Sequence, residues 1–331
     1  MTATLRAAGV VRVDVIAYSA TDVVEETDVT VGRARELTET YRVTWVNVVD
    51  PEPRVLGELE ALFGFHPLAL EDAGHVDAAP KVEAYGDVLF VVTRTIVWTE
   101  EIATDQLSLF LGKKFIITIE DKVVPQLEDV RVKIRRRAPR VMKGGPDYLC
   151  YTILDGIVDS YFPHLDRMEG IINGLEGALV ERPADTRALT ELHEIRSDLV
   201  HLRTALRPQR DALTTLARLE VPLIRKETRD YFRDVYDHML SVLDSLDTYR
   251  EVVTSLMDLQ ATLFSNNINQ IIKVLTIFFT VTLPLAIVTS AFGMNVYFPG
   301  KEEPLGLALA LFLMLATTLA TAWYMKRRGL W

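Results

Sequence analysis

With 331 residues the chain has room for one large domain or two smaller ones, and its formal net charge of -10 argues against nucleic acid as a partner. Cys150 is its one cysteine, which excludes an intrachain disulfide and a Cys-rich metal site. The charge is uneven. Only five of the 36 basic residues (Lys273, Lys301, Lys326, Arg327, Arg328) and two of the 46 acids (Glu302, Glu303) follow residue 270, so the first 270 residues hold 31 basic and 44 acidic groups. So acidic a region attracts cations, although many soluble proteins are equally acidic for solubility alone.

The opening stretch, MTATLRAAGVVRVDV, lacks the basic start and apolar core of a signal peptide, so the N-terminal part is expected to stay in the cytosol. Residues 1–145 read as an α+β domain. Val10–Ile16, Val43–Val48, Val88–Val92 and Phe115–Ile119 are short runs rich in β-branched and aromatic residues, the composition of strands. Between them Val55–Phe63 has helical spacing, and a short helix follows over Leu68–Asp72, with Pro67 at its first turn. The expected result is a small sheet flanked by helices.

Strand signals stop near Gly145, and residues 146–270 read as long helices. One is expected over Tyr148–Val180 and a second from Ala184 to about Leu219, with Pro183 and Pro222 as breakers. A third starts near Lys226. Phe232, Tyr236, Met239, Leu243, Leu246, Val253 and Leu256 follow a period near 3.5, the seam of helices packing around one another, which gives a reason for copies to assemble. No Pro or Gly lies between Lys226 and Thr282, so this stalk helix is expected to continue into the membrane and to span roughly 100 Å at 1.5 Å per residue.

Two apolar runs close the chain. Residues 271–293 contain one charge, Lys273, and residues 305–325 contain none; each exceeds the ~18 to 20 residues that cross a bilayer as a helix. They are joined by a loop, 294–304, and followed by a basic tail, 326–331. Lys326-Arg327-Arg328 places both termini on the cytoplasmic side of a cell membrane and the loop outside.

Two spans cannot enclose a water-filled path, so a pore requires several copies. The first span offers Asn269, Thr276, Thr280 and Thr282 and no acid. Amide oxygens without carboxylates suit a hydrated ion, and Mg²⁺ gives up its water reluctantly. Asn295 at the outer mouth and Asn269 at the inner end are candidates for such rings; each is also an ordinary helix cap. His193 and His201 lie two turns apart on one helix face but make no zincin pattern. No phosphate-binding glycine loop and no nucleophile elbow occurs, so no catalytic residue, ATP-driven step or cofactor is expected.

Together, Asn269 to Thr276, Pro284 and Phe292-Gly293-Met294-Asn295 resemble the CorA family of magnesium transporters. Tyr231 to His238, His66-Pro67-Leu68 with Glu71-Asp72, Pro80-Lys81-Val82-Glu83, and the basic cluster with Trp331 also fit. The resemblance implies a homopentameric funnel for divalent cations, with Mg²⁺ as both cargo and regulatory ligand. It implies a selectivity ring of Gly293, Met294 and Asn295, and a pore lined by Asn269, Ile272, Leu275, Leu283 and Ala286. Ile272 and Leu275 fall at a hydrophobic constriction that gates by dewetting, although aliphatic residues in a membrane helix ordinarily just pack. The resemblance further implies a regulatory cation between Asp234 on the stalk and an acid on a neighbour's N-terminal domain, for which Asp87 is the choice. The loop departs from the family in lacking an acidic-aromatic stretch, leaving Glu302 and Glu303 to gather cations at the mouth beside Lys301. Position 286 is Ala, where some relatives carry a hydroxyl. The alternatives are a Zn²⁺, Co²⁺ or Ni²⁺ transporter of the same architecture and an adaptor merely tethered by its hairpin; Met294 favours Mg²⁺.

Overall fold

The structure, a computed structural model, describes residues 12–75, 77–181, 186–294 and 304–328. The chain forms two compact units: Met1–Glu176 with Thr190–Ser255, and Gly177–Leu189 with Leu256–Trp331.

The first unit is built on seven strands: β1 (Arg12–Tyr18), β2 (Val23–Glu26), β3 (Val43–Val49), β4 (Lys81–Tyr85), β5 (Val88–Trp98), β6 (Ile102–Leu111) and β7 (Phe115–Glu120). They form one sheet in the order β2-β1-β3-β7-β6-β5-β4, antiparallel throughout except where β3 runs parallel to β7. The expected sheet is present, with β2, β4 and β6 added to the four strands legible in composition. Glu25, Glu26, Lys81 and Glu83 hide β2 and β4, because the two edges of a sheet tolerate charge.

Helices cover both faces, so the central strands are buried on both sides and read as continuous apolar runs. On one face lie α1 (Val31–Thr40), α2 (Pro53–Phe63) and α3 (Pro67–Gly74). Phe63, Phe65, Phe110 and Phe115 meet there, Phe65 stacking on Phe110 at 4.2 Å. The opposite face is covered by α4 (Gln126–Arg135) and α6 (Pro146–Asp159), with α5 (Pro139–Lys143) between them. His66-Pro67-Leu68 starts α3: the His66 Nδ1 accepts from the Leu68 N–H at 3.3 Å, and its ring stacks on Tyr85. Lys81 joins Asp72 (2.7 Å) to Glu83 (2.9 Å). Both motifs therefore have local structural work.

Three long helices follow: α7 (Tyr161–Glu181), α8 (Thr186–Arg218) and α9 (Lys226–Gly293). The helix expected over 148–180 is two, broken at Ser160. Pro163 is the cause, since it lacks an N–H for the Asp159 carbonyl and its ring crowds that oxygen. By contrast α9 runs unbroken for 68 residues, through Pro284. Its seam residues Phe232, Met239, Leu243, Leu246, Val253 and Leu256 are buried, with Tyr236 only partly so. They are buried within the chain: α9 meets α7 through Tyr249–Glu169 (3.2 Å) and α8 through Arg203–Asp247 (2.6 Å). The seam thus stabilises the single chain, while Val252 and Leu259 beside it stay exposed.

One attachment of α8 is polar. β4 stops pairing at Val92, so Arg94 on β5 lacks a strand neighbour on that side. The Arg94 N–H donates to Gln209 Oε1 at 3.0 Å, the Tyr161 hydroxyl donates to the Arg94 carbonyl, and Gln209 Nε2 donates to Tyr161 at 2.9 Å. Two buried side chains replace the missing strand. Gln209→Leu leaves a buried N–H and carries a cost of about 1–3 kcal/mol, measurable by chemical denaturation of the detergent-solubilised protein; an unchanged midpoint would show that water replaces the amide.

Candidate cation site and pore face

Asp155 sits on α6, Asp234 and His238 one turn apart on α9, and their oxygen and nitrogen atoms lie within 4.8 Å of one another. Two carboxylates and an imidazole form a donor set that suits a divalent cation. Asp159, one turn beyond Asp155, lies 3.2 Å from His238 Nδ1 and orients the ring. Burial holds the Asp155 carboxyl above the usual carboxylate range, and the charges of Asp159 and Asp234 push the same way, against Lys133 and His238. A cation placed among these groups would relieve that repulsion.

Of the expected regulatory pair, Asp234 belongs to this group and Asp87 does not join it within the chain. Asp87 stands at the tip of the β4–β5 hairpin, after Gly86 in the left-handed region (φ 59°), and pairs with Lys113 at 2.9 Å. It is 82% exposed and so available to another molecule. Asp155, Asp159 and His238 were not singled out from sequence. Their signal was there, an Asp-x-x-x-Asp on α6 and an Asp-x-x-x-His on α9, each on one helix face. His193 and His201 are exposed on α8.

Farther along α9, Asn269, Ile272, Leu275, Leu283 and Ala286 fall within an arc of roughly 120° at 3.6 residues per turn. All five are exposed, and no residue from Ile271 to Gly293 is buried by its own chain. Thr280 and Thr282 donate to the carbonyls of Thr276 (2.6 Å) and Phe278 (2.8 Å), turning hydroxyls inward onto the helix. Gly293 ends α9, and Met294 follows it, exposed. Asn295, Glu302 and Glu303 lie outside the described residues. The second apolar helix, α10 (Pro304–Arg327), closes with Arg327 over Trp323 and Arg328 over Tyr324, a pairing suited to a membrane–water boundary.

Residues 20–327 match the family described as CorA-like Mg²⁺ transporter protein. This chain belongs to that family. It is 34% identical over 290 residues to the cobalt/magnesium transport protein CorA of Thermotoga maritima, covering 86% of this chain and 82% of the relative. The complete structure of the CorA magnesium transporter from Methanocaldococcus jannaschii superposes with a TM-score of 0.83 at 26% identity, covering 99% of each chain. A more distant relative, at 24% identity and 75% of each chain, is the zinc transport protein ZntB of Yersinia enterocolitica. The protein is thus a CorA-like divalent cation transporter of the membrane, and the expected α+β domain, long helices and closing apolar helix are present in the single chain.

Protons compete for the Asp155 oxygens that a cation would use. Because its folded carboxyl is held high, Asp155 favours the ion-free fold most at low pH, and this contribution is lost as pH rises through the raised value. Co²⁺ binding to the detergent-solubilised protein should therefore weaken as the pH falls through the raised Asp155 range, followed by calorimetry. Asp155→Asn should weaken binding and flatten this pH dependence; an equally steep curve in the variant would assign the protons elsewhere.

Proposed function

We propose that several copies of this chain, five by its resemblance to the family, form a channel that admits hydrated Mg²⁺ to the cytosol down its electrochemical gradient. The observation that carries this reading is the α9 face from Asn269 to Ala286, which is uncovered in a single chain and ends at Gly293-Met294. A ring of such helices closes around these residues. Asn295 then addresses the water shell of the ion with neutral oxygens, which suits a cation slow to dehydrate. Glu302 and Glu303 gather cations at the outer mouth. No nucleotide is needed, since the membrane potential supplies about 2.3 kcal/mol per charge per 100 mV, doubled for a divalent ion. Both termini lie in the cytosol in this arrangement.

Control comes from the cytosolic cation. At high internal Mg²⁺, ions at Asp155, Asp234 and His238, reached also by the exposed Asp87 of the partner subunit, draw neighbouring subunits together. Ile272 and Leu275 then form a dry constriction. As Mg²⁺ falls, uncompensated carboxylates repel and the constriction loosens. Zn²⁺, Co²⁺ or Ni²⁺ transport is the second reading, which the ZntB relative and the imidazole of His238 favour; Met294 and the closer similarity to CorA support Mg²⁺.

Purified protein in liposomes decides between these. Mg²⁺ influx should be abolished in Asn295→Ala while the oligomer still assembles, and an inert hexaammine cation should block the wild type from outside. Influx of Zn²⁺ but not Mg²⁺ would establish the second reading, and normal uptake in Asn295→Ala would remove the selectivity ring. A polar side chain wets the constriction, so Leu275→Asp should leak at high internal Mg²⁺, where the wild type is shut. A variant still closed under those conditions puts the gate elsewhere.

A further inference from the structure

Four residues of α6, spaced by four, face α9 in chain order. Asp147 meets Arg225 and Thr228, Tyr151 meets Tyr231 with ring centroids 5.0 Å apart, Asp155 meets Asp234, and Asp159 meets His238. The two helices therefore run parallel, in contact along one i, i+4 ridge of α6. The rungs differ in character. Rungs three and four hold three carboxylates and one imidazole, with Lys133 of α4 acting on Asp155 from outside the ladder, whereas the first carries its own guanidinium.

In that first rung Asp147 and Thr228 are buried and Arg225 covers them from the exposed side. Asp147, with a side chain 3% exposed, accepts the Arg225 N–H at 3.1 Å, Arg225 Nε at 2.9 Å, Arg225 Nη2 at 2.8 Å and the Thr228 hydroxyl at 2.6 Å. It lies in the first turn of α6, while Arg225 immediately precedes α9 and Thr228 is in the first turn of α9. One carboxylate thus sits at the positive ends of two helices and holds them in register. Gly145 leaves room for it, because a Cβ there would come within 2.8 Å of Asp147 Oδ1.

A helix is stiff over the six residues from Thr228 to Asp234, so the register set at the first rung decides where Asp234 and His238 stand against Asp155 and Asp159. We propose that Asp147, Arg225 and Thr228 are positioning residues of the regulatory cation site: they touch no ion, yet they hold the two halves of its donor set at binding distance against their mutual repulsion. This rests on the reading of Asp155, Asp234 and His238 as that site. Without the clamp, like charges at rung three drive the start of α9 outward, and the cation must first restore the register. Its affinity falls by the cost of doing so.

The test uses full-length protein in detergent, with two readouts at a temperature where every variant is folded without cation. One is the Mg²⁺ concentration that gives half-protection from trypsin; the other is the visible absorption of bound Co²⁺, which reports whether an imidazole is among its ligands. Thr228→Val and Arg225→Lys should raise the protection midpoint about threefold or more, and Asp147→Asn further. All three should alter the Co²⁺ spectrum as His238→Ala does. Should Asp147→Asn fail to fold, Thr228→Val, which removes a single hydroxyl, still decides. Asp234→Ala separates the two claims. If it shifts the midpoint while Thr228→Val and Arg225→Lys leave midpoint and spectrum unchanged, the positioning role is overturned and the cation site stands. If Asp234→Ala itself changes nothing, the site and the positioning role fall together.

Discussion

The main-chain hydrogen bonding of α9 is the constraint on which the rest of the molecule depends. It makes the Asp234–His238 pair and the Asn269–Ala286 face parts of one element. The two stretches meet opposite conditions. Phe232, Val235, Met239, Val242 and Leu246 are buried by the chain itself, whereas nothing from Ile271 to Gly293 is. So long an apolar face is not stable in water. Lipid and further copies of the helix are the environments that satisfy it.

Two aspartates on α6, eight residues apart, show how position alone divides one chemistry into two roles. Burial alone would raise the Asp147 carboxyl, but the bonds from Arg225 and Thr228 outweigh it and hold the group below the ordinary range. Asp155 is also partly buried, and its nearest charges include Asp159 and Asp234, so it is held high. The first carboxylate is a permanent anion that fastens two helix starts. The second is an anion at a cost, and a divalent cation bound there, as proposed, would remove that cost. A site whose empty state is strained and whose filled state is relaxed responds to ion concentration.

The seam of α9 shows where periodicity misleads. Its 3.5-residue spacing is the same whether the partner helix belongs to the same chain or to another. Here α7 and α8 provide ion-pair and hydrogen-bond partners such as Arg203 and Glu169, so the seam is used within the chain. The uncovered residues nearer the membrane segment are the apolar surface that the proposed assembly would use. A helix pattern reports that a face is covered and does not say by what.

Much of the fold was legible in the residues. Strands buried on both faces announce themselves as β-branched runs, and two apolar stretches without acids announce membrane helices, because burial and transfer from water act on each residue separately. The Gly293-Met294-Asn295 tripeptide, together with the Asn269 to Thr276 and Tyr231 to His238 stretches, identified the family. What composition hid were the charged edge strands β2 and β4, the break that Pro163 makes after Asp159, and the opposition of α6 to α9. Asp155 and Asp234 are 79 positions apart, and no local rule relates them. The sequence alone marked the apolar strands, the long helices and the two apolar spans, since those are properties of short windows. Only the tertiary structure decided which carboxylates are clamped and which are left to repel, because that depends on how two helices distant in the chain are brought side by side.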